Sequence, residues 1–341
     1  MEATRSRRYG TGDDVAAEVR QAVRAAVWAP SVHNTQPWTF GVHGSRITLR
    51  ADADRRLEAA DPDGREMLIS CGAALFTLRV ALRALGREAH PRVLPDPDRP
   101  HLLADVHVGA PIPVDEHAQR LYAAVRYRRT HRGAFKPTGI RPSLLNALRL
   151  EAEHEGARLI QAVEGHTQQA LAGLTQAAEH LQRMDPAHAA ETARWAPAPG
   201  STRSDGVHQS AYPGWTPPTD PHFPGRDFAR GHGWGTVSDE PADPSTGLVM
   251  IIATPGDTPL DWIGSGQALQ RMLLRAAAEE ALAAAFHTQA LEIPELRELI
   301  RTRFTNGHYP QVLLRLGIPA GPDLTTIRRP VNEVIVEEHH S

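Results

Sequence analysis

Apolar residues recur along the chain with two periods, and the switch between them divides it into helices and strands. Val15, Val19, Val23 and Val27 lie four apart and the run stops before Pro30, which predicts an amphipathic helix over residues 13–29 ended by proline. From Trp38 the period becomes two: Trp38, Phe40 and Val42 precede Gly44-Ser45, and Ile47 and Leu49 follow, the pattern of a hairpin. Leu68, Cys71, Leu75, Leu78, Leu82 and Leu85 share one helical face over residues 67–85, with Gly86 placed to end the helix. Further on, the pattern predicts a strand at 102–108, a helix at 121–129, a strand at 248–254 and a long helix at 266–282. An apolar strand at 311–316 and a last extended segment after Arg329 complete the set.

The second half repeats the plan of the first at lower similarity. CGAALFTLRVALRALG from Cys71 and SGQALQRMLLRAAAEEAL from Ser265 both begin with a small residue and glycine, place Ala-Leu two and three residues later, and continue as helix. Residues 195–244 depart from everything around them, being rich in Pro and Gly with little periodicity. A loop of that length in a compact domain is a functional lid or a disordered segment. Trp195, Tyr212, Trp215, Phe223, Phe228 and Trp234 favour the lid, because disordered chains are poor in aromatics.

Composition removes several classes of function. With 37 basic and 40 acidic residues the formal charge is −3, so no overall field favours nucleic acid or an anionic membrane, and an anion site has to be local. Residues 1–10 are charged and polar, not an apolar signal core, and no unbroken stretch of about 18 apolar residues occurs. A cytoplasmic protein is expected. Cys71 is the only cysteine, which excludes an internal disulfide, a four-cysteine zinc site and an iron–sulfur cluster held by one chain; it reads as a small core residue. The eighteen histidines show no metal-ligand spacing, and no metal is expected. Lys136 is the only lysine and GxxxxGK[ST] is absent, so phosphate recognition falls to arginine, whose planar fork binds oxyanions in two-pronged fashion.

Two arginine-bearing or polar motifs stand out. The first is Ala29-Pro30-Ser31-Val32-His33-Asn34-Thr35-Gln36-Pro37-Trp38, directly after the first helix; helix exit and turn chemistry account for Pro30, Ser31 and Asn34 but not for the whole string. The second is Arg128-Arg129-Thr130-His131-Arg132 with Phe135 close behind. In an extended stretch Arg128, Thr130 and Arg132 point the same way, so one hydroxyl and two guanidiniums converge, with Arg129 between them. Without the first motif this would read as a solvated basic face. Arg328-Arg329 lies on the connection to the last segment, where either arginine could close an anion cradle and leave its neighbour to solvent.

These residues resemble the nitroreductase superfamily of FMN flavoproteins, in particular its Acg-type branch. The first motif is similar to the signature PSxxNxQPW, matched at Pro, Ser, Asn, Gln, Pro and Trp. The second resembles RxSxR followed by Phe, with threonine in place of serine and the phenylalanine one residue late. The branch resemblance extends over nearly the whole chain, including DTPLDW at Asp257, GQALQR at Gly266 and RRPV at Arg328.

The resemblance implies an α+β, nitroreductase-like fold of two fused half-domains, residues 1–120 and 121–341, forming an intramolecular pseudo-dimer with a long lid inserted at about 195–244. It implies one FMN site: residues 30–34 around the ring or its ribityl chain through backbone groups, Ser31, Asn34 and Gln36; Arg128, Arg129, Thr130 and Arg132 on the phosphate with Arg328 or Arg329. The role of His33 stays open, and Trp38 is read as core. A second PSxxNxQPW is missing after RRTHRGAF, so a symmetric second site is expected to be lost. The implied activity is that of an NAD(P)H-dependent oxidoreductase passing hydride through flavin N5 to an unidentified small-molecule acceptor, with no catalytic side chain named. Non-catalytic FMN sequestration under the lid, or a dedicated biosynthetic oxidase or dehydrogenase, are the alternatives. A monomer with the internal pseudo-dimer, or a homodimer of such chains, is expected, with neither nucleic acid nor membrane as partner.

Overall fold

A computed structural model of the chain describes residues 12–214, 217–229, 243–321, 324 and 326–336. The polar residues 1–10, Trp215 and Trp234 lie outside the described residues. Helix α1 (Gly12–Ala26) leads through the first motif to the hairpin β1 (Trp38–His43) and β2 (Arg46–Ala51), then α2 (Arg65–Ala84), β3 (Arg87–Val93), β4 (Leu102–Pro111) and α3 (Glu116–Ala124). There follow α4 (Pro142–Glu153), β5 (Arg158–Gln161), α5 (Gly165–Met184), α6 (Pro186–Arg194), β6 (Leu248–Thr254), α7 (Pro259–Glu280), β7 (Ala283–Phe286), α8 (Pro294–Phe304), β8 (Tyr309–Gly317), a turn of helix α9 (Val331–Val334) and β9 (Ile335–Val336).

The fold is α+β with two sheets. The first has the order β3-β4-β2-β1-β9, antiparallel except for the β1–β9 pair, so the C-terminal segment returns to the sheet of the N-terminal half. The second, β5-β6-β8-β7, is antiparallel throughout. One core joins α1, α2 and the first sheet; a second packs α4 and α7 on one face of the second sheet, and a third covers its other face with α5 and α8. Burial on both faces is why LVMIIAT and QVLLRL read as continuous apolar runs instead of alternating ones.

Between the sheets α2 and α7 cross at a seam made possible by glycine. A methyl at Gly72 would collide with the Ile263 carbonyl, and one at Gly266 with the Ile69 carbonyl. The small-Gly openings that the two helices share are thus the two halves of one crossing. Deep in the seam Gln270 Nε2 donates to Thr77 Oγ1 (2.9 Å) and Thr77 donates to Ala73 O (2.8 Å), while Gln270 Oε1 is buried without a partner among the described residues. Helix α2 is long and apolar enough to span a membrane by length and composition, but most of it is buried in the core. Cys71 lies in that core, and burial raises its thiol pKa far above the ordinary value.

Several predicted boundaries are corrected. The helix expected at 121–129 begins at Glu116, because the Asp115 carboxylate caps the Ala118 N–H, and stops at Ala124, leaving Arg128, Arg129 and Arg132 on irregular chain beyond it. The helix expected from Gly266 begins at Pro259, where Thr258 and Asp261 form a capping box. The segment after Arg329 makes a helical turn before its short strand. The described part of the lid is packed: Ala196, Val207, Ala211, Tyr212 and Phe228 form their own cluster, and Trp195 sits with Leu57 and Ala60.

Candidate functional site

The first helix, expected to run to residue 29, stops at Ala26; a turn through Ala29 leads to Pro30, and the chain then takes one tight turn at Val32–Asn34 before β1. His33, Asn34 and Gln36 all have positive φ (47°, 53° and 50°), a concentration of strained backbone that persists only where surrounding bonds over-determine it. Those bonds are present. Ser31 Oγ accepts from Gln36 N (3.0 Å), and Ser70 Oγ, at the start of α2, accepts from Val32 N (3.2 Å). Asn34 Nδ2 donates to Gly206 O (2.9 Å) and Ile327 O (3.1 Å); Gln36 Nε2 donates to Ser204 O (2.9 Å) while its Oε1 accepts from Arg329 N (2.7 Å). The two amides expected to read a ring edge are therefore committed to the lid and the C-terminal segment, and neither lines the cavity.

The cavity has a volume of about 370 Å³. Pro30, Ser31, Val32 and His33 form one wall, Thr130 to Arg132 another, and the lid residues Phe223 to Arg226 and Phe228 close over it. Phe228 meets His33 edge-on, ring centroids 5.2 Å apart. Neither His33 ring nitrogen has a hydrogen-bond partner among the described residues, and burial, reinforced by Arg226 and Arg132, holds its pKa well below the usual histidine value. It is neutral at physiological pH.

Beside this cavity the arginines gather. Arg128 is 4% exposed; its Nη2 donates to Trp28 O (3.3 Å), and its Nε and Nη1 have no partner among the described residues. Arg328 Nη1 donates to Asn34 Oδ1 (3.0 Å), and its Nε is likewise buried without a partner. Arg132 donates to Ala211 O (2.7 Å), lies over the Phe228 ring and lines the cavity. Burial pushes Arg328 down to about 9, helped by repulsion from Arg128, Arg129 and Arg132, and burial pushes Arg128 and Arg132 to about 10; all remain charged near neutrality. No carboxylate pairs with Arg128 or Arg328 among the described residues. Buried cations with unused N–H groups fit an oxyanion of high charge, above all a phosphate.

The other two arginines differ. Arg129 turns back on the carbonyls of Arg126 and Arg128. Arg329, expected to face solvent if Arg328 closed the cradle, is 7% exposed and donates to Gln36 O (3.2 Å), Trp38 O (3.4 Å) and Glu333 O (2.9 Å). It fastens the C-terminal segment to the motif, and Trp38 is wholly buried core.

A Mycobacterium tuberculosis protein provisionally named NAD(P)H nitroreductase is 35% identical over 326 residues, covering 93% of this chain and 90% of the relative. The chain belongs to the nitroreductase family. A second provisionally named NAD(P)H nitroreductase of that organism, acg, is 30% identical over 324 residues, 93% of this chain and 94% of its own. Among solved structures, an FMN-bound nitroreductase of Bacteroides fragilis aligns with TM-score 0.38 and 14% identity over 64% of this chain and 98% of that one. A nitroreductase-like protein of Bacillus cereus gives 0.34 and 14% over 62% and 92%. No family model matches the chain.

In this nitroreductase-family chain the cavity also contains residues that no motif announced. Glu66, at the start of α2, is 4% exposed beside Arg65 (3.0 Å), and burial together with Glu292 pushes its carboxyl up to about 8. Arg226 of the lid pairs with the fully buried Glu292 (2.5 Å). His287 and Arg315 complete the far wall. Only Arg315 left a readable signal, a lone charge within the otherwise apolar QVLLRL. The others are brought in by chain reversals that no local pattern encodes.

Proposed function

We propose that the chain binds FMN in this cavity and works as an NAD(P)H-dependent oxidoreductase of the nitroreductase type. The observation that carries the proposal is the pair Arg128, buried, and Arg328, half-buried, which lack carboxylate partners among the described residues, keep unbonded guanidinium nitrogens, and cluster with Arg132, which itself lines the cavity walled by Pro30 to His33. When bound, the flavin supplies hydride chemistry at N5, between a nicotinamide and a nitro-aromatic, quinone or similar acceptor. Arg128, Arg132 and Arg328, with the Thr130 hydroxyl, hold the phosphate. The backbone of residues 30–33 lies along the ring or ribityl chain, and the strained turn from His33 to Gln36 that follows it is kept in place by Ser31, Ser70, Asn34 and Gln36. Neutral His33 adds a face without adding charge. No protein nucleophile is needed, and none is assigned.

In the same proposal residues 1–120 and 121–341 are two half-domains imitating a dimer. Support comes from the reciprocal glycine crossing of α2 and α7 and from the meeting of a motif of the first half with one of the second. A second reading, FMN sequestration, is favoured by the bonds from Asn34 and Gln36 to Gly206 and Ser204, which fasten the lid over the cavity.

The visible spectrum of the FMN-loaded protein, taken anaerobically before and after NADH or NADPH, separates the two. Rapid loss of the flavin band is the expected result. A band that persists until dithionite is added overturns the oxidoreductase reading in favour of sequestration. Turnover with several acceptors is expected; rapid reduction of one alone points to a dedicated biosynthetic enzyme.

A further inference from the structure

Charged side chains in this region sort by their partners. Arg65 pairs with Glu66, Arg226 with Glu292, Arg297 with Asp257 (2.7 Å) and Arg271 with Glu151. Arg128 and Arg328 have no acid but lie together in the proposed phosphate cradle. Arg315 stands apart from both sets. It is 4% exposed, lines the cavity, and forms no ion pair with any described residue.

Neutral groups hold it in place. Its Nε donates to His287 Nε2 (2.8 Å), Nη1 to Thr246 O (3.1 Å) and Nη2 to Gly133 O (3.4 Å). His287 Nδ1 lies 3.0 Å from Pro224 O, which fixes the proton on Nδ1 and leaves Nε2 as acceptor. Burial, and Arg315 itself, keep that imidazole neutral. The guanidinium also lies over the rings of Phe135 (5.3 Å) and Phe223 (5.9 Å). A guanidinium has five N–H groups, so three bonds leave one free on each terminal nitrogen. An oriented, desolvated, uncompensated cation is costly to bury unless an anion joins it.

We propose that Arg315 anchors an anionic subsite that takes the carboxylate of a planar aromatic electron acceptor. This deepens the oxidoreductase reading and rests on it. Two N–H groups on one fork match the two oxygens of a carboxylate, and one buried cation balances one negative charge. A phosphate dianion would remain undercompensated here. The adjoining walls, Phe223, Phe286, Leu269 and Val312, suit the ring that carries the acid.

The test uses two probes of the same shape, benzoate and the uncharged benzamide. Each is titrated into the FMN-loaded protein while the flavin band is followed, and into the flavin-free protein by thermal shift. Benzoate is expected to bind about tenfold or more tightly than benzamide in both forms. R315Q is expected to abolish that preference with FMN occupancy retained, and R315K to keep part of it. Equal binding of the two probes by the wild type overturns the proposal without any variant having to fold. So does a preference that survives in R315Q. A preference seen only without FMN also overturns it, because the flavin itself would then cover Arg315. Failure of the flavin reading shows separately, as absence of FMN uptake.

Discussion

The seam between α2 and α7 and the cavity beside it share helices but solve opposite problems. In the seam the two glycines let the backbones touch, and Thr77 and Gln270 bond across the crossing, leaving only the neutral Gln270 Oε1 without a partner there. In the cavity wall, a few residues away along α2, Glu66 is buried against a second acid, and nearby arginines keep unbonded nitrogens. One region is closed by packing and neutral hydrogen bonds; the other holds charge that, in the proposed function, a ligand completes. Stability is concentrated in the first, and binding chemistry in the second.

The sharpest way to break that contrast is to remove charge from the cradle. Replacing both Arg128 and Arg328 by methionine deletes the two charge-assisted contacts proposed for the phosphate, and FMN affinity is then expected to fall roughly a hundred- to ten-thousand-fold. Because the arginines lack acid partners, the flavin-free variant is expected to melt no lower than the flavin-free wild type. Retained FMN, or a large loss of stability without it, would show that these side chains serve the fold instead. The parallel change of Arg128 and Arg132 to alanine is likewise expected to strip the flavin from a folded chain.

The seam should respond the other way round. Gly72→Ala or Gly266→Ala inserts a methyl into a facing backbone carbonyl, which only a shift of one helix can relieve. A loss of about 3 kcal/mol in urea unfolding is expected, the upper end for overpacking, with FMN still bound by the fraction that remains folded. An unchanged midpoint would mean that the crossing is looser than its geometry requires.

The smallest effect is a pH dependence. Glu66 titrates near 4.5 when unperturbed and is raised to about 8 by burial and Glu292. A raised folded pKa favours the protonated form, so this contribution is fully present below about pH 4.5 and is lost as pH climbs towards 8. Glu292 shifts down, since Arg226 pairs with it, and opposes the trend at the acid end. Wild-type stability is therefore expected to decline from mildly acidic to mildly alkaline pH, and Glu66→Gln to flatten that decline. A Glu66→Gln variant with the same slope would remove Glu66 as its source.

Legibility in the sequence followed locality. The hairpin, α2 and β6 were readable because each is a single period of apolar residues over six or more positions. The starts of α3 and α7 were missed because caps at Asp115 and Thr258 extend those helices past their apolar stripes. Among the site residues, Pro30 to His33, Thr130 and Arg132 do line the cavity, and Arg328 lies in the arginine cluster. Asn34, Gln36 and Arg329 belong instead to the network that fastens lid and C-terminus, which depends on contacts some 170 to 290 residues apart in sequence.

What the sequence by itself determined is the family, the α+β alternation and the identity of the two motifs, because each rests on residue order within a short stretch. Tertiary structure alone decided which arginine of the C-terminal pair joins the cluster with Arg128 and Arg132, where the amides of Asn34 and Gln36 point, and that Glu66 and Arg315 share one cavity. Those outcomes depend on burial and on distant partners, and a side chain's charge has a meaning only once its neighbours and its distance from water are set.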